Sequence, residues 1–279
     1  MSTLALKIVA ICSMLLDHTL KILPMQHMLA AWCGVPMETS YWLLDIFEPL
    51  GRLAMPIFAF CVAEGCRHTR SPKRYLLRLG VFALVSEIPF RLAFTAPSLE
   101  QDVYALHVFR FWPPVLTSVI ATLFLGAVAC LAYKKLTEKG HRLLGLLPLL
   151  PCLLLAEFMH ADYGGWGVLL VFLPFALEKK KYYLPALGVA LTLLYLVDNA
   201  WVGHGLAWLM PDSGGASYFA NWLVALCALV LLGFYNGKRG GKGSPAEKWL
   251  FYVFYPGHLL ALWGIAQVIT PLVRNAPLL

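Results

Sequence analysis

Five ionisable side chains interrupt long apolar runs in this sequence of 279 residues. They are Asp17, His18, Arg52, Glu87 and His258. An ionisable side chain is costly in an apolar segment, so its presence there indicates a function. Histidine exchanges protons near neutral pH, and a carboxylate or an arginine can orient it or balance its charge. These residue types therefore predict a buried site for proton transfer. The structural alternative is that the histidines only join helices through hydrogen bonds.

Helical geometry limits which carboxylate can orient His18. Neighbours on a helix point about 100° apart, so Asp17 is not expected to orient His18 itself. A carboxylate from another helix is needed for that role. Glu87, near the middle of its apolar run, is the best candidate, and Glu64 is less well placed.

Asp17 has two candidate partners for an ion pair. Arg52 is expected at a similar depth, and Lys21 lies four residues further on the same helical face. Either pair could be purely structural.

His258 follows Tyr255-Pro256-Gly257, and a Pro-Gly pair inside an apolar run breaks the helical hydrogen-bond ladder. Such irregular backbone is tolerated only against protein or a cavity.

The apolar runs that carry these residues have the composition of membrane helices. Apolar residues form 60% of the chain and charged residues 13%, whereas a soluble domain is about half apolar and a quarter charged. We predict an all-α polytopic membrane helix bundle with about nine transmembrane helices in one integral membrane domain, 1–279. The first run contains Asp17, His18 and Lys21, so it is expected to be a retained helix rather than a cleaved signal peptide. The predicted spans are 4–24, 45–66, 74–95, 114–134, 142–160, 163–178, 182–199, 218–236 and 249–270.

Basic residues are concentrated in alternate connections between these runs. Seventeen of the 22 lysines and arginines fall on one side of the predicted bundle. Because cytoplasmic loops carry the excess of basic residues, the amino terminus is predicted to be cytoplasmic. The same charge could contact anionic lipid or bind a phosphorylated cytoplasmic ligand. Nucleic acid is not expected as a partner, because the charge is divided among short loops.

No soluble-enzyme motif or metal-binding pattern is present in the sequence. The seven cysteines have no CxxC and no zinc spacing, and most lie inside apolar runs as small hydrophobic residues. We therefore predict neither a metal site nor a disulfide framework. A Walker loop, GxGxxG, HExxH and GxSxG are also absent.

The polar residues fall into a series of short motifs along the chain. They are Lys7 with Met14-Leu15-Leu16-Asp17-His18, Gly51-Arg52-Leu53-Ala54-Met55-Pro56-Ile57-Phe58-Ala59-Phe60, Glu64-Gly65, Tyr75-Leu76-Leu77-Arg78-Leu79, Ser86-Glu87-Ile88-Pro89-Phe90, Asp162-Tyr163-Gly164, Gly167-Val168-Leu169, Tyr235-Asn236-Gly237-Lys238-Arg239-Gly240 and Phe251-Tyr252-Val253-Phe254-Tyr255-Pro256-Gly257-His258-Leu259.

The order of these motifs resembles the TraX family, which is named for the conjugation protein that acetylates the amino terminus of F-type pilin. The resemblance spans nearly the whole chain, and the combination of motifs is more specific than any single one. It implies a location in a bacterial cytoplasmic (inner) membrane. One departure is that the family has an Asn and a Thr at the start of the fourth run. This chain has His107-Val108-Phe109-Arg110-Phe111-Trp112-Pro113-Pro114 there, with Thr117 at the Thr position.

The family is similar to the wider group of transmembrane acyltransferases, and that similarity implies an activity. We expect transfer of an acetyl or short acyl group from cytoplasmic acyl-CoA to an acceptor amine or hydroxyl. The acceptor would be an envelope molecule or a peptide, such as the amino terminus of a pilin. Membrane lipid is a further expected partner, and the oligomeric state is left open.

For this activity we predict roles for individual residues. His18 is expected to be the general base, with Asp17 and His258 in the same catalytic set and Glu87 orienting His18. An acyl-histidine intermediate is a second possibility. Tyr255, Asn236 or His258 would polarise the thioester carbonyl or hold the pantetheine arm. Arginine suits phosphate groups because its planar fork binds two oxygens. The residues expected to bind acyl-CoA are Arg52, Arg74, Arg78, Tyr235, Asn236, Lys238, Arg239 and Tyr255.

Two other kinds of function fit part of the pattern. A transporter or permease also uses broken helices and charges near the middle of the membrane, although nine spans give no even repeat. A scaffold of an envelope complex would tolerate substitution of Asp17, His18 and Arg52.

Overall fold

A computed structural model of the chain describes residues 1–94, 117–141, 143–201 and 215–274. Within these ranges the chain forms α-helices, two short 3-10 helices and no strand. The α-helices are α1 Thr3–Ile22, α2 Met25–Cys33, α3 Met37–Phe47, α4 Ala54–His68, α5 Pro72–Phe94, α6 Val119–Thr137, α7 Leu149–Phe158, α8 Gly164–Leu177, α9 Lys180–Trp201, α10 Gly215–Gly233 and α11 Pro245–Arg274. The 3-10 helices are Glu48–Leu53 and Leu144–Leu146. The predicted all-α bundle is confirmed.

The apolar runs form helices because lipid offers no hydrogen-bond partner to an exposed backbone. Ser2 caps α1, since its Oγ accepts a hydrogen bond from the N–H of Ala5 at 3.2 Å. The helix ends at Ile22, where Leu23 becomes extended before Pro24.

Four helical stretches in the described ranges are long and apolar enough to cross a membrane. They are Thr3–Ile22, Met37–His68, Val119–Thr137 and Trp249–Arg274. Shorter apolar helices cover Leu144–Phe158, Gly164–Leu177 and Phe219–Gly233. The chain is therefore a membrane protein by its helices, whereas the count of nine spans is not confirmed. The predicted span 142–160 is shortened by a 3-10 turn, and α2 and α3 were not predicted as separate helices.

The predicted clustering of the basic connections is found at one end of the bundle. Arg67 Nη2 donates to the carbonyl oxygen of Pro174 at 2.7 Å, which joins the ends of α4 and α8. Lys180 Nζ donates to the carbonyl oxygen of Gly233 at 2.9 Å, which joins the start of α9 to the end of α10. Thr3 N–H donates to the carbonyl oxygen of Lys238 at 2.9 Å. We call this end, formed by residues 1–4, 67–73, 134–141, 178–181 and 234–243, the basic end; that it faces the cytoplasm stays a prediction.

Small residues allow close packing between the helices behind the candidate site. A Cβ at Gly126 of α6 would lie 2.6 Å from Val171 Cβ of α8, so the two backbones approach as helices in membranes commonly do at small residues. A Cβ at Gly51 would lie 2.5 Å from Asp17 Cβ, which explains how α1 packs on the first 3-10 helix. Helices α1, α5 and α11 are in mutual contact, and the candidate site lies between them.

Candidate functional site

His18 of α1 and His258 of α11 form a buried hydrogen-bonded pair. His18 is 9% exposed and His258 is 7% exposed. His18 Nδ1 and His258 Nε2 are 2.7 Å apart. The ring centroids are 5.0 Å apart and the ring planes differ by 5°. A nitrogen-to-nitrogen contact at this centroid distance requires the rings to lie edge to edge in one plane, rather than face to face.

Aromatic residues hold the two rings in place. The ring of Phe94 meets His18 edge-on at 5.7 Å, and the ring of Tyr255 does so at 6.3 Å. Phe254 stacks on His258 at 4.9 Å with an interplanar angle of 11°. Phe254 and His258 are four residues apart on α11 and so share a face. The carbonyl oxygen of Phe254 is also 2.8 Å from His258 Nδ1.

A cavity of about 260 Å³ runs between α1, α4, α5, α6 and α11. The charged residues in its lining are Lys7, Arg78, Arg239 and Glu247, and Arg239 belongs to the basic end. The deeper lining is apolar apart from Cys61 and tyrosines. The cavity is therefore mainly apolar, and its charged side, which we call the mouth, carries three cations and one carboxylate.

The inner end of the cavity lies one helical turn from the histidine pair. Met14 and Tyr255 line the cavity. Met14 precedes His18 by four residues on α1, and Tyr255 precedes His258 by three residues on α11, so each shares a helical face with its histidine. The cavity thus extends from the cationic mouth to within about one helical turn of the buried pair, and neither histidine lines it.

Two buried polar atoms of cavity-lining residues have no hydrogen-bond partner in the described part of the chain. They are Arg78 Nε and Tyr255 Oη, although the backbone N–H of Val119 lies near Tyr255 Oη. Buried polar atoms are nearly always paired in native structures. These two atoms are therefore candidate contacts for a polar ligand.

Asp17 pairs with Lys21 and not with Arg52. Lys21 Nζ donates to Asp17 Oδ2 at 2.9 Å. Arg52 Nη2 instead donates to Glu48 at 2.9 Å, one turn back, and Arg52 Nε donates to Asn221 Oδ1 at 3.1 Å. Arg52 does not line the cavity, and its predicted contact with acyl-CoA stays a prediction.

The Glu87 carboxylate is hydrogen-bonded to the backbone at the start of α6 and not to His18. The carboxylate accepts hydrogen bonds from the backbone N–H groups of Thr117 at 2.9 Å and Ser118 at 3.2 Å. It also accepts from Thr117 Oγ1 at 2.8 Å and from Arg91 Nε at 2.8 Å. The predicted orientation of His18 by Glu87 is replaced by the contact with His258. The segment His107–Pro114, where the family pattern departs, lies outside the described residues.

The residues predicted to bind acyl-CoA divide into two groups. Arg78, Arg239 and Tyr255 line the cavity, whereas the other five do not. Arg74 is exposed on α5. Tyr235 donates to Glu64 Oε2 at 3.0 Å, a contact within the bundle. The remaining residues outside the lining are Arg52, Asn236 and Lys238.

Sequence reasoning missed Lys7 as a cavity residue. Lys7 Nζ lies 4.8 Å from the centroid of the Phe251 ring, so the cation is held over an aromatic face at the mouth. A basic residue inside the first apolar run was the available signal.

The comparison with known proteins agrees with the motifs described above. The model of the family described as "TraX protein" matches residues 2–266. The chain belongs to the TraX family. It is 26% identical over 269 residues to a Dichelobacter nodosus protein named "Probable fimbrial assembly protein FimC, serogroup H1", with 94% of each chain covered. No solved structure matches the chain.

Proposed function

We propose that this TraX-family protein is a membrane-embedded acyltransferase. It moves an acetyl or short acyl group from cytoplasmic acyl-CoA to an amine or hydroxyl at or across the membrane. The observation that carries this proposal is the cavity that extends from three cations at its mouth to within about one helical turn of the buried histidine pair.

The cavity suits the two chemical parts of acyl-CoA. The phosphates carry negative charge, and Lys7, Arg78 and Arg239 would bind them at the mouth. The pantetheine arm is long and mostly uncharged, and the inner lining of the cavity is mostly apolar. From Lys7 to His18, α1 rises by about 16 Å, a distance that an extended pantetheine arm can cover.

In the proposed reaction His18 is the general base. It takes a proton from the acceptor as the acceptor nitrogen or oxygen attacks the thioester carbon. The carbon–sulfur bond then breaks, and the CoA thiolate takes the proton from the His18 imidazolium. Tyr255 Oη would donate a hydrogen bond to the carbonyl oxygen, where negative charge develops.

We propose the amino terminus of a pilin subunit as the acceptor. The Dichelobacter nodosus relative is named for fimbrial assembly, and an amino terminus is a nucleophile that a neutral imidazole can deprotonate near neutral pH.

The proposal is tested with purified protein in lipid nanodiscs and radiolabelled acetyl-CoA. The acceptor is a synthetic peptide with the amino-terminal sequence of a pilin, either free or blocked at its amino group. Release of the CoA thiol is followed in parallel, because slow hydrolysis reports chemistry even when the peptide is a poor acceptor. His18→Gln is compared with His68→Gln, since the His68 side chain is exposed at the end of α4.

We expect label in the free peptide only, and a loss of about 10²-fold or more in His18→Gln, the usual range for a general base. His68→Gln should keep the wild-type rate. The proposal is contradicted if CoA thiol is released neither with peptide nor with water, or if His18→Gln transfers label at the wild-type rate. Binding of CoA without any turnover would favour a transporter or a scaffold.

A further inference from the structure

The hydrogen bonds of His258 determine which of its nitrogens carries a proton. His258 Nδ1 is 2.8 Å from the carbonyl oxygen of Phe254. A carbonyl oxygen can only accept a hydrogen bond, so Nδ1 must be the donor and carry the hydrogen. In a neutral imidazole the second nitrogen then has a free lone pair. Nε2 of His258 is therefore an acceptor.

The same reasoning passes to His18. His258 Nε2 lies 2.7 Å from His18 Nδ1, and a hydrogen bond between two nitrogens needs one donor. His18 Nδ1 must donate, which leaves the lone pair of His18 on Nε2. Within the described part of the chain, no carboxylate is hydrogen-bonded to either ring, so two neutral rings suit this apolar position.

We infer that His258 is a positioning residue that fixes the tautomer of His18 and makes Nε2 of His18 the base. The inference rests on the proposed function for its catalytic consequence, but the tautomer itself does not depend on it. When Nε2 takes a proton, the bond from His18 Nδ1 to His258 becomes charge-assisted and therefore stronger. A neutral histidine thus takes the role that a carboxylate has when it orients a catalytic histidine. It does so without placing a negative charge in the membrane.

The geometry around the pair supports a positioning role. The two rings are coplanar within 5°, so the lone pair of His258 points along the N–H bond of His18. Phe254 both stacks on the His258 ring and supplies the carbonyl that fixes its tautomer. The chain of hydrogen bonds from His18 through His258 ends at the carbonyl oxygen of Phe254, on the backbone of α11. Because that oxygen can only accept, His258 Nδ1 stays the donor and Nε2 stays the acceptor.

Two variants separate the positioning role from simple packing. In His258→Gln, the amide oxygen can still accept from His18 Nδ1, so the tautomer of His18 should persist. In His258→Leu, a side chain of similar size accepts nothing. The tautomer is measured by nitrogen-15 NMR of histidine-labelled protein in nanodiscs, with His18 assigned by difference from His18→Gln. The kcat and KM for acetyl-CoA are measured on the same samples.

For the wild type we expect an unprotonated Nε2 and a protonated Nδ1 on His18. His258→Gln should keep this spectrum and a kcat within about tenfold of the wild type, whereas His258→Leu should give mixed tautomers. Loss of the correct tautomer should lower kcat by about 10²-fold or more with little change in KM.

The inference is overturned if wild-type His18 is protonated on Nε2, or if His258→Leu keeps both the wild-type spectrum and the wild-type kcat. If the wild type shows no acyl transfer, the proposed function fails, and the spectra alone decide the inference. Identical His18 spectra in the Gln and Leu variants would then overturn it, and spectra that differ as expected would support it.

Discussion

The arginines near the cavity differ in how far their hydrogen-bonding groups are already used. Arg67 binds Glu64 and donates to the carbonyl oxygens of Pro174 and Phe175, so it acts as a brace between helices. Arg78 lies in the cavity lining, and its buried Nε has no partner among the described residues. Arg78 is therefore more available to a bound phosphate than Arg67.

This difference predicts that Arg78→Met raises the KM for acetyl-CoA by about tenfold or more, since a hydrogen bond to a charged group contributes about 1.5–3 kcal/mol. The kcat should fall much less, because Arg78 is distant from the histidine pair. Arg74→Met is the matched control, one turn earlier on the same helix and exposed. Steady-state kinetics with varied acetyl-CoA measure both variants, and a wild-type KM in Arg78→Met would exclude Arg78 from the donor site.

At the residue scale the sequence indicated which polar side chains are buried in the bundle better than it indicated how they pair. Depth along a helix follows from the 1.5 Å rise per residue, so His18, Glu87 and His258 could all be placed inside the bundle. Rotation about each helix axis depends on packing that no spacing reveals. For this reason Glu87 was expected beside His18, although it binds Thr117 and Ser118.

Among the helices, α6 depends on a carboxylate from α5 for its start. The first N–H groups of a helix have no partner within it, and the backbone just before α6 instead donates to Glu87. Val119 and Ile120 of this first turn line the cavity. Glu87 thus supports the cavity wall by holding α6 against α5.

We predict that Glu87→Gln lowers the thermal midpoint in detergent, at a cost of about 1–3 kcal/mol. The amide has fewer acceptor sites than the carboxylate and carries no negative charge for the ion pair with Arg91. Glu138→Gln is the matched control, because Glu138 is exposed at the C-terminal end of α6, whereas Glu87 binds the start of α6. Its substitution should not change the midpoint. A fully stable Glu87→Gln with no transfer activity would instead support a role beside His18.

At the element scale the hydrophobic runs predicted α1 and α6 well. Both are mainly apolar segments that are long enough to cross a membrane. Helices α2 and α3 were missed because Pro24 and Pro36 each begin a short helix in a segment of mixed composition. The bundle therefore contains short helices that composition alone could not assign as spans.

Over the whole molecule, the basic end collects the connections that the charge pattern had grouped. Asn236 N–H donates to the carbonyl oxygen of Met1 at 2.9 Å, and Leu4 N–H donates to that of Arg239 at 3.0 Å. These contacts tie the first residues to the connection before α11. Cys33, exposed at the end of α2, lies towards the other end of the bundle.

This arrangement predicts the sidedness of two thiols. In spheroplasts, a membrane-impermeant maleimide should label Cys33 from outside, and Cys33→Ser should remove that label. A cysteine introduced by Lys242→Cys in the Cys33→Ser background should react only after lysis. Labelling of the Lys242→Cys variant in intact spheroplasts would show that the orientation is opposite to the predicted one, with the cavity mouth outside the cell.

The central claim is that acyl-CoA enters at the basic end and presents its thioester to the histidine pair. A structure of the protein with a non-hydrolysable acetyl-CoA analogue tests this most directly. We expect the phosphates at Lys7, Arg78 and Arg239, the arm along the cavity, and the acetyl carbonyl beside Tyr255 Oη within reach of His18. An analogue bound elsewhere, or one whose acetyl group lies away from His18 and Tyr255, would contradict the account.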